Sequence, residues 1–219
     1  GWTIFIFAPG SGATGAKSLS LEEDPYAAIS TASIWAEVFN AFPQVDGGIM
    51  DGWTESAYEL IKHHGNAVFG DIPDATKKAA SVRGYNPNKL ERGMQHLRQR
   101  FQSFTSSQVQ YYGSHGVLSE MNLFDINENA IYWLRWRRED SIKTGEAFRR
   151  ELDKLPNQIL LGNGPRSAVF SGMTALDFSA WDKIVDILLV KHYFGIGVLT
   201  VCTELWLDGY RKFMNGTLT

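Results

Sequence analysis

The chain has 219 residues and is 44% hydrophobic, enough for one large core, with a single domain as the default. A net charge of -3 gives no basic face for nucleic acid, and no apolar run reaches the roughly 18 residues that a membrane span requires. The single cysteine, Cys202, excludes an internal disulfide and leaves the redox compartment open.

The chain opens on Gly1 rather than Met, and Trp2 to Phe7 already read as a strand. Any targeting segment is therefore expected upstream, and the compartment is left unassigned. The run W-T-I-F-I-F-A-P (2–9) is β-branched and aromatic and stops at a proline, which predicts a first strand. After a small-residue loop, Asp24 is predicted to cap a helix with Pro25 at its first position. Its apolar face is Ala28, Ala32, Trp35, Phe39 and Phe42, and Pro43 ends it. The stretch V-D-G-G-I-M-D (45–51) is the second strand, and 63–86 reads as a long polar loop. Asn86-Pro87 starts a helix with the seam Leu90, Met94, Leu97, Phe101 and Phe104. Residues 105–126 read as irregular.

Asn127 opens a long helix to about Leu155, with Ile131, Leu134, Ile142, Phe148 and Leu152 on its inner face. Within it, W-L-R-W-R-R-E-D (133–140) alternates arginines with acids, which predicts a solvated outer face. The run Q-I-L-L-G-N-G-P-R (158–166) is a third strand entering a Gly-Pro loop. A helix near 178–184 leads to a fourth strand in D-I-L-L-V-K-H-Y-F (186–194). No internal repeat or low-complexity tract interrupts this order.

Strands alternate with helices, and the last two strands are short continuous apolar runs, as parallel strands buried on both faces are. The expected fold is α/β, an incomplete (β/α)8 barrel with about four parallel strands and long helical insertions. Polar residues gather just after the strands: Asp51, Trp53 and Glu55; then Asn163 and Arg166; then Lys191, His192 and Tyr193. In barrels and open sheets alike, the loops after strand C-termini build the site. No GxGxxG or P-loop follows a strand, which argues against a nucleotide.

Two carboxylates beside a tryptophan suit glycoside hydrolysis, one protonating the leaving oxygen and the other attacking or activating water. Asp51 and Glu55 are the candidate catalytic pair. Trp53, Tyr58, His64, Asn163, Arg166, Lys191, His192 and Tyr193 are the candidate substrate contacts. The competing reading makes Asp51 and Glu55 loop and helix-cap residues, since Asp-Gly is a common turn. Adjacent His63 and His64 point to different helix faces and form no two-ligand site, so neither metal nor cofactor is expected.

Several stretches carry a resemblance: V-D-G-G-I-M-D-G-W-T-E-S (45–56), Y-E-L-I-K-H-H-G-N-A-V-F (58–69), N-L-F-D (122–125), W-L-R-W-R-R-E (133–139), L-L-G-N-G-P-R (160–166) and L-L-V-K-H-Y-F (188–194). Over about 1–194 the chain resembles a bacterial group of glycoside-hydrolase-like TIM-barrel proteins. The resemblance implies a partial barrel domain and a carbohydrate-active hydrolase whose substrate is a polysaccharide or glycoconjugate. The alternative it leaves open is a non-catalytic carbohydrate-binding or scaffold barrel. In related barrel glycosidases an acid at the end of the fourth strand is often catalytic, and Asp51 occupies that kind of position if its strand is the fourth. The second acid of many such barrels comes from a later strand. The D-x-x-D-x-D-x-E pattern of chitinase-like barrels is not met, because Ile49 and Trp53 stand where its second and fourth acids would be.

The tail 195–219 departs from the group immediately after Phe194. Members of the group continue with W-H-R-G-F-D-G-M-Y-G-T-V-A-R-W-V. Codons that encode the tail from Gly195 spell that continuation once a single base is added at their 5′ end. The tail is therefore expected to be a frameshifted translation. Cys202 and the sequon Asn215-Gly216-Thr217 would then be accidents, and the chain as written an inactive fragment.

Overall fold

The computed structural model describes residues 3–9, 27–51, 72, 74–103, 105–113, 122, 124–163 and 175–189. The chain divides into two compact units, Gly1–Glu55 with Arg137–Lys191, and Ser56–Trp136 with His192–Thr219.

The first unit is built on a parallel sheet of β1 (Phe5–Pro9), β2 (Gly47–Asp51) and β3 (Leu160–Asn163), in that spatial order. The register runs from Phe5 opposite Gly47 to Pro9 opposite Asp51, and from Gly47 opposite Leu160 to Met50 opposite Asn163. Asp46 ties the start of the sheet together. Its Oδ2 accepts from the Ile4 N–H at 2.7 Å, and its carbonyl accepts from the Leu160 N–H at 3.0 Å.

Helix α1 (Ala27–Ala41) ends before Pro43, and its Ala32, Trp35 and Phe39 are buried as their spacing predicts. Phe42 lies beyond the last turn and is 52% exposed, so the apolar seam stops one step short of the expectation. Trp35 meets Phe39 and Phe148 edge to face, with ring centroids 5.8 and 5.3 Å apart. Its six-membered ring lies where a β-carbon on Gly48 would be. The glycine pair in β2 thus has a packing cause: a side chain at 48 would displace the indole. Met50, Leu161, Leu152, Trp181 and Ile184 complete the same core. Each large apolar side chain buried there contributes about 1.5–3 kcal/mol.

In the second unit, α2 (Asp74–Val82) and α3 (Pro87–Ser103) are joined by a turn at Gly84, whose φ of +79° suits glycine. The polar loop expected over 63–86 therefore contains a helix. It buries Thr76, Ala79 and Ala80, a face of small residues that gives little hydrophobic signal. Asn86 caps α3, accepting from the Lys89 N–H at 3.2 Å ahead of Pro87 at the first position. Leu90, Met94 and Leu97 are buried as predicted. Helix α4 (Ser106–Gly113) lies in the stretch read as irregular. Its entry is a reciprocal cap. The Thr105 N–H donates to Gln108 Oε1 at 3.0 Å, and the Gln108 N–H to Thr105 Oγ1 at 3.2 Å.

Helix α5 (Glu128–Leu152) is capped by Asn127, whose Oδ1 accepts from the N–H groups of Asn129 and Ala130 at 3.0 Å each. Its residues up to Trp136 belong to the second unit and the rest to the first. The inner face there differs from the expected one. Ile131 is 53% exposed, while Ala130, Trp133, Trp136 and Arg137 are buried. The stretch 133–140 is consequently not a solvated face throughout. The cause is close helix approach: Gly93 of α3 sits against the Asn129 carbonyl and the Trp133 β-carbon, leaving no room for a side chain. Arg83 stacks on Trp136, its guanidinium carbon 4.2 Å from the ring centroid, and Tyr85 meets the same indole edge-on at 5.2 Å.

The fourth strand expected over 186–191 is reduced, among the described residues, to one parallel bridge between Gly162 and Ile187. The described sheet has three strands and does not close. Helix α6 (Phe178–Trp181) precedes this segment.

Candidate functional site

The three strands run the same way, so Pro9, Asp51 and Asn163 end at one edge of the sheet. That edge is where strand-end reasoning puts a site. Asp51 is the last ladder residue of β2, opposite Pro9. Glu55, Trp53, Tyr58, His64, Arg166, Lys191, His192 and Tyr193 lie outside the described residues.

Asn163 is the sequence-predicted site residue whose side chain the structure describes, and it is 2% exposed. Its Oδ1 accepts from the Leu189 N–H at 2.7 Å, and its Nδ2 donates to the Leu189 carbonyl at 3.3 Å. The amide therefore grips both polar groups of one residue. The backbone ladder leading there is regular: the Ile187 N–H donates to Leu161 O at 3.1 Å, and the Asn163 N–H to Ile187 O at 3.2 Å. Continued in parallel register, the next donor to Leu189 O would be the N–H of residue 165. That residue is Pro165, which has none. The Asn163 side chain supplies the donor that the proline lacks.

Sequence reasoning overlooked a second group on this side of the sheet. Asp186 Oδ2 accepts from the Leu161 N–H at 2.8 Å and from Arg149 Nη1 at 3.1 Å. Arg149 also donates to Ile159 O at 3.1 Å and, through Nε, to Asp153 Oδ1 at 2.8 Å. The available signal was Arg149-x-x-x-Asp153 in the last helical turn, followed by an acid opening an apolar run.

Asp177 caps α6, its Oδ1 accepting from the Ser179 N–H at 3.0 Å and from the Ser179 hydroxyl at 2.7 Å, and it pairs with Arg138. Burial pushes its carboxyl up, but the Ser179 hydroxyl, Arg138 and the Ser179 N–H together hold it below the usual carboxylate range. It is a structural anion and a poor proton donor near neutral pH.

Among the described residues no group of three His, Cys, Asp or Glu side chains is placed to hold a metal ion. No described helix is long and apolar enough to cross a membrane. Comparison with family models, with curated proteins and with solved structures finds no match for this chain.

Proposed function

We propose that the chain is part of a glycoside-hydrolase-like barrel, in which Asp51 acts on a polysaccharide or glycoconjugate. The observation that carries this reading is the parallel register, which ends β2 at Asp51 beside the row that ends β3 at Asn163. The two polar sequence clusters that follow, 51–55 and 163–166, thus leave adjacent strands at the same sheet edge. On this reading Glu55 assists Asp51. Trp53, Tyr58, His64, Arg166, Lys191, His192 and Tyr193 contact the sugar, and Asn163 holds the neighbouring chain in place. The sheet is the remnant of an eight-stranded barrel, with the fourth strand begun at Ile187. The tail 195–219 is an out-of-frame translation, and this chain as written has little or no activity.

The test is a glycan panel offered to this chain and to a chain with one base restored after codon 194, each with an Asp51→Asn control. The frame-restored chain is expected to release sugar, and Asp51→Asn to lower its rate by about 100-fold or more. Binding of glycans without turnover, or an Asp51→Asn variant as fast as its parent, rules out the hydrolase. Sequencing the coding DNA tests the tail. A frame that does not open into W-H-R-G-F-D-G-M-Y-G after one inserted base rejects the frameshift.

A further inference from the structure

Asn163 is followed by Gly164, and then by Pro165. An asparagine before glycine is chemically labile, because glycine has no side chain to hinder attack by its backbone nitrogen. In that reaction the Gly164 nitrogen bonds to Asn163 Cγ, the Cγ–Nδ2 bond breaks, and ammonia leaves. Water then opens the resulting succinimide to aspartate or isoaspartate at position 163. One water is consumed for each ammonia released, and no oxidant or cofactor is needed.

The leaving nitrogen is the atom that completes the sheet. Nδ2 donates to the Leu189 carbonyl at 3.3 Å, while Oδ1 is held by the Leu189 N–H at 2.7 Å. Asn163 is 2% exposed, so water and the rotation that attack on Cγ requires are both excluded while Leu189 is docked. Aspartate at this position keeps an acceptor for the Leu189 N–H but loses the donor. A carboxylate oxygen then faces the Leu189 carbonyl, acceptor against acceptor, and Pro165 has no N–H to replace the lost bond. Isoaspartate adds a backbone methylene and moves the side chain out of register.

We propose that Asn163 is a spontaneous deamidation site gated by docking of the 186–189 segment. Docking protects the amide, release exposes it, and deamidation then prevents the segment from docking again. The device is one-way, and it acts on the edge of β3 whether or not the chain hydrolyses glycans.

The experiment ages the full chain in mildly alkaline buffer, folded and urea-unfolded in parallel. Peptide mapping by mass spectrometry quantifies aspartate and isoaspartate at position 163. Deamidation is expected to be about tenfold or more slower in the folded chain. Equal rates overturn the proposal. Asp186→Ala removes the carboxylate that accepts from the Leu161 N–H and anchors the segment. It is expected to raise the folded-state rate toward the unfolded one while circular dichroism stays unchanged, and an unaltered rate overturns the gating. Asn163→Asp reads the second half of the cycle by hydrogen exchange. The Leu189 amide is expected to lose its protection, with the Gly48 and Leu160 amides of the β2–β3 ladder keeping theirs. Leu189 protection equal to that of the parent chain overturns the one-way step. Should either variant fail to fold, the folded-against-unfolded comparison on the parent chain still decides.

Discussion

Trp35 and Trp136 are both almost fully buried, at 3% and 2% exposure, yet each unit holds its indole by a different force. Trp35 is fixed by shape: it fills the space above Gly48 and touches Phe39 and Phe148 edge to face. Trp136 is fixed by charge and quadrupole, with Arg83 over its face and Tyr85 at its edge. Shape tolerates almost no added volume, whereas a cation over a ring can be removed with the packing left in place. The sheet unit should therefore be brittle to small insertions, and the helical unit to loss of charge.

The sharpest way to break this contrast is Gly48→Ala. One methyl overlaps the Trp35 ring, which is itself wedged between two phenylalanines, so a loss of about 3 kcal/mol in urea denaturation is expected. Trp35→Leu added to that variant should recover part of the loss, because the methyl then has room. A Gly48→Ala chain as stable as its parent would show that the indole is not confined.

A smaller effect is expected in the other unit. Arg83→Met keeps the aliphatic stem but removes the cation from the face of Trp136, for a cost of about 1 kcal/mol. Hydrogen exchange should localise that loss to α2 and the turn at Gly84. If the protection lost lies in β2 instead, the two tryptophans do not report on separate units.

Trp181 supplies the smallest test, since the short helix that carries it begins at Asp177. Asparagine caps as well as aspartate, so Asp177→Asn isolates the charge and should cost about half a kcal/mol at neutral pH. The folded-state pKa of Asp177 is lowered from the ordinary value of 3.8. Its charge thus stabilises the fold above the ordinary value, and that contribution disappears as pH falls through the lowered one. Denaturation curves of parent and variant should differ near pH 7 and converge by about pH 2. A gap that persists in acid would assign the effect to something other than ionisation.

Much of this architecture was legible because its signals were local. Pro9, Pro43 and Asn86-Pro87 punctuate the chain where β1 and α1 end and α3 begins. The 3.6-residue spacing of Trp35 and Phe39, and of Leu90, Met94 and Leu97, picked out buried faces. Helix α2 was missed because alanine and threonine bury without a strong apolar pattern. Helix α4 was missed although Thr105-x-x-Gln108 is a capping box. The inner face of α5 was misassigned near Ile131 because one period was imposed on a helix that serves two units. The reduced fourth strand was half legible: an apolar run reads alike whether or not it joins a ladder, but Pro165 already marked where the backbone donors of β3 give out. At the site, the strand-end position of Asp51 followed from sequence order, whereas the grip of Asn163 on Leu189 depends on a partner 26 residues away.

The order of pairing also sets a schedule for synthesis. β2 and β3 are hydrogen-bonded neighbours, yet Ser56–Trp136 of the other unit is translated between them. Roughly a hundred residues separate the two strands, so β2 waits about 5–20 s on the ribosome for its partner. Entropy is a minor obstacle, because doubling such a connection costs only about 0.6 kcal/mol in closure. The hazard is the waiting edge, a row of unpaired donors and acceptors that can template aggregation. Gly47-Gly48 makes that edge a poor template, since glycine has low strand propensity and offers no side chain for a foreign strand to pack against. The pair that seats Trp35 in the finished fold thereby also shields the nascent chain during the interval before β3 appears.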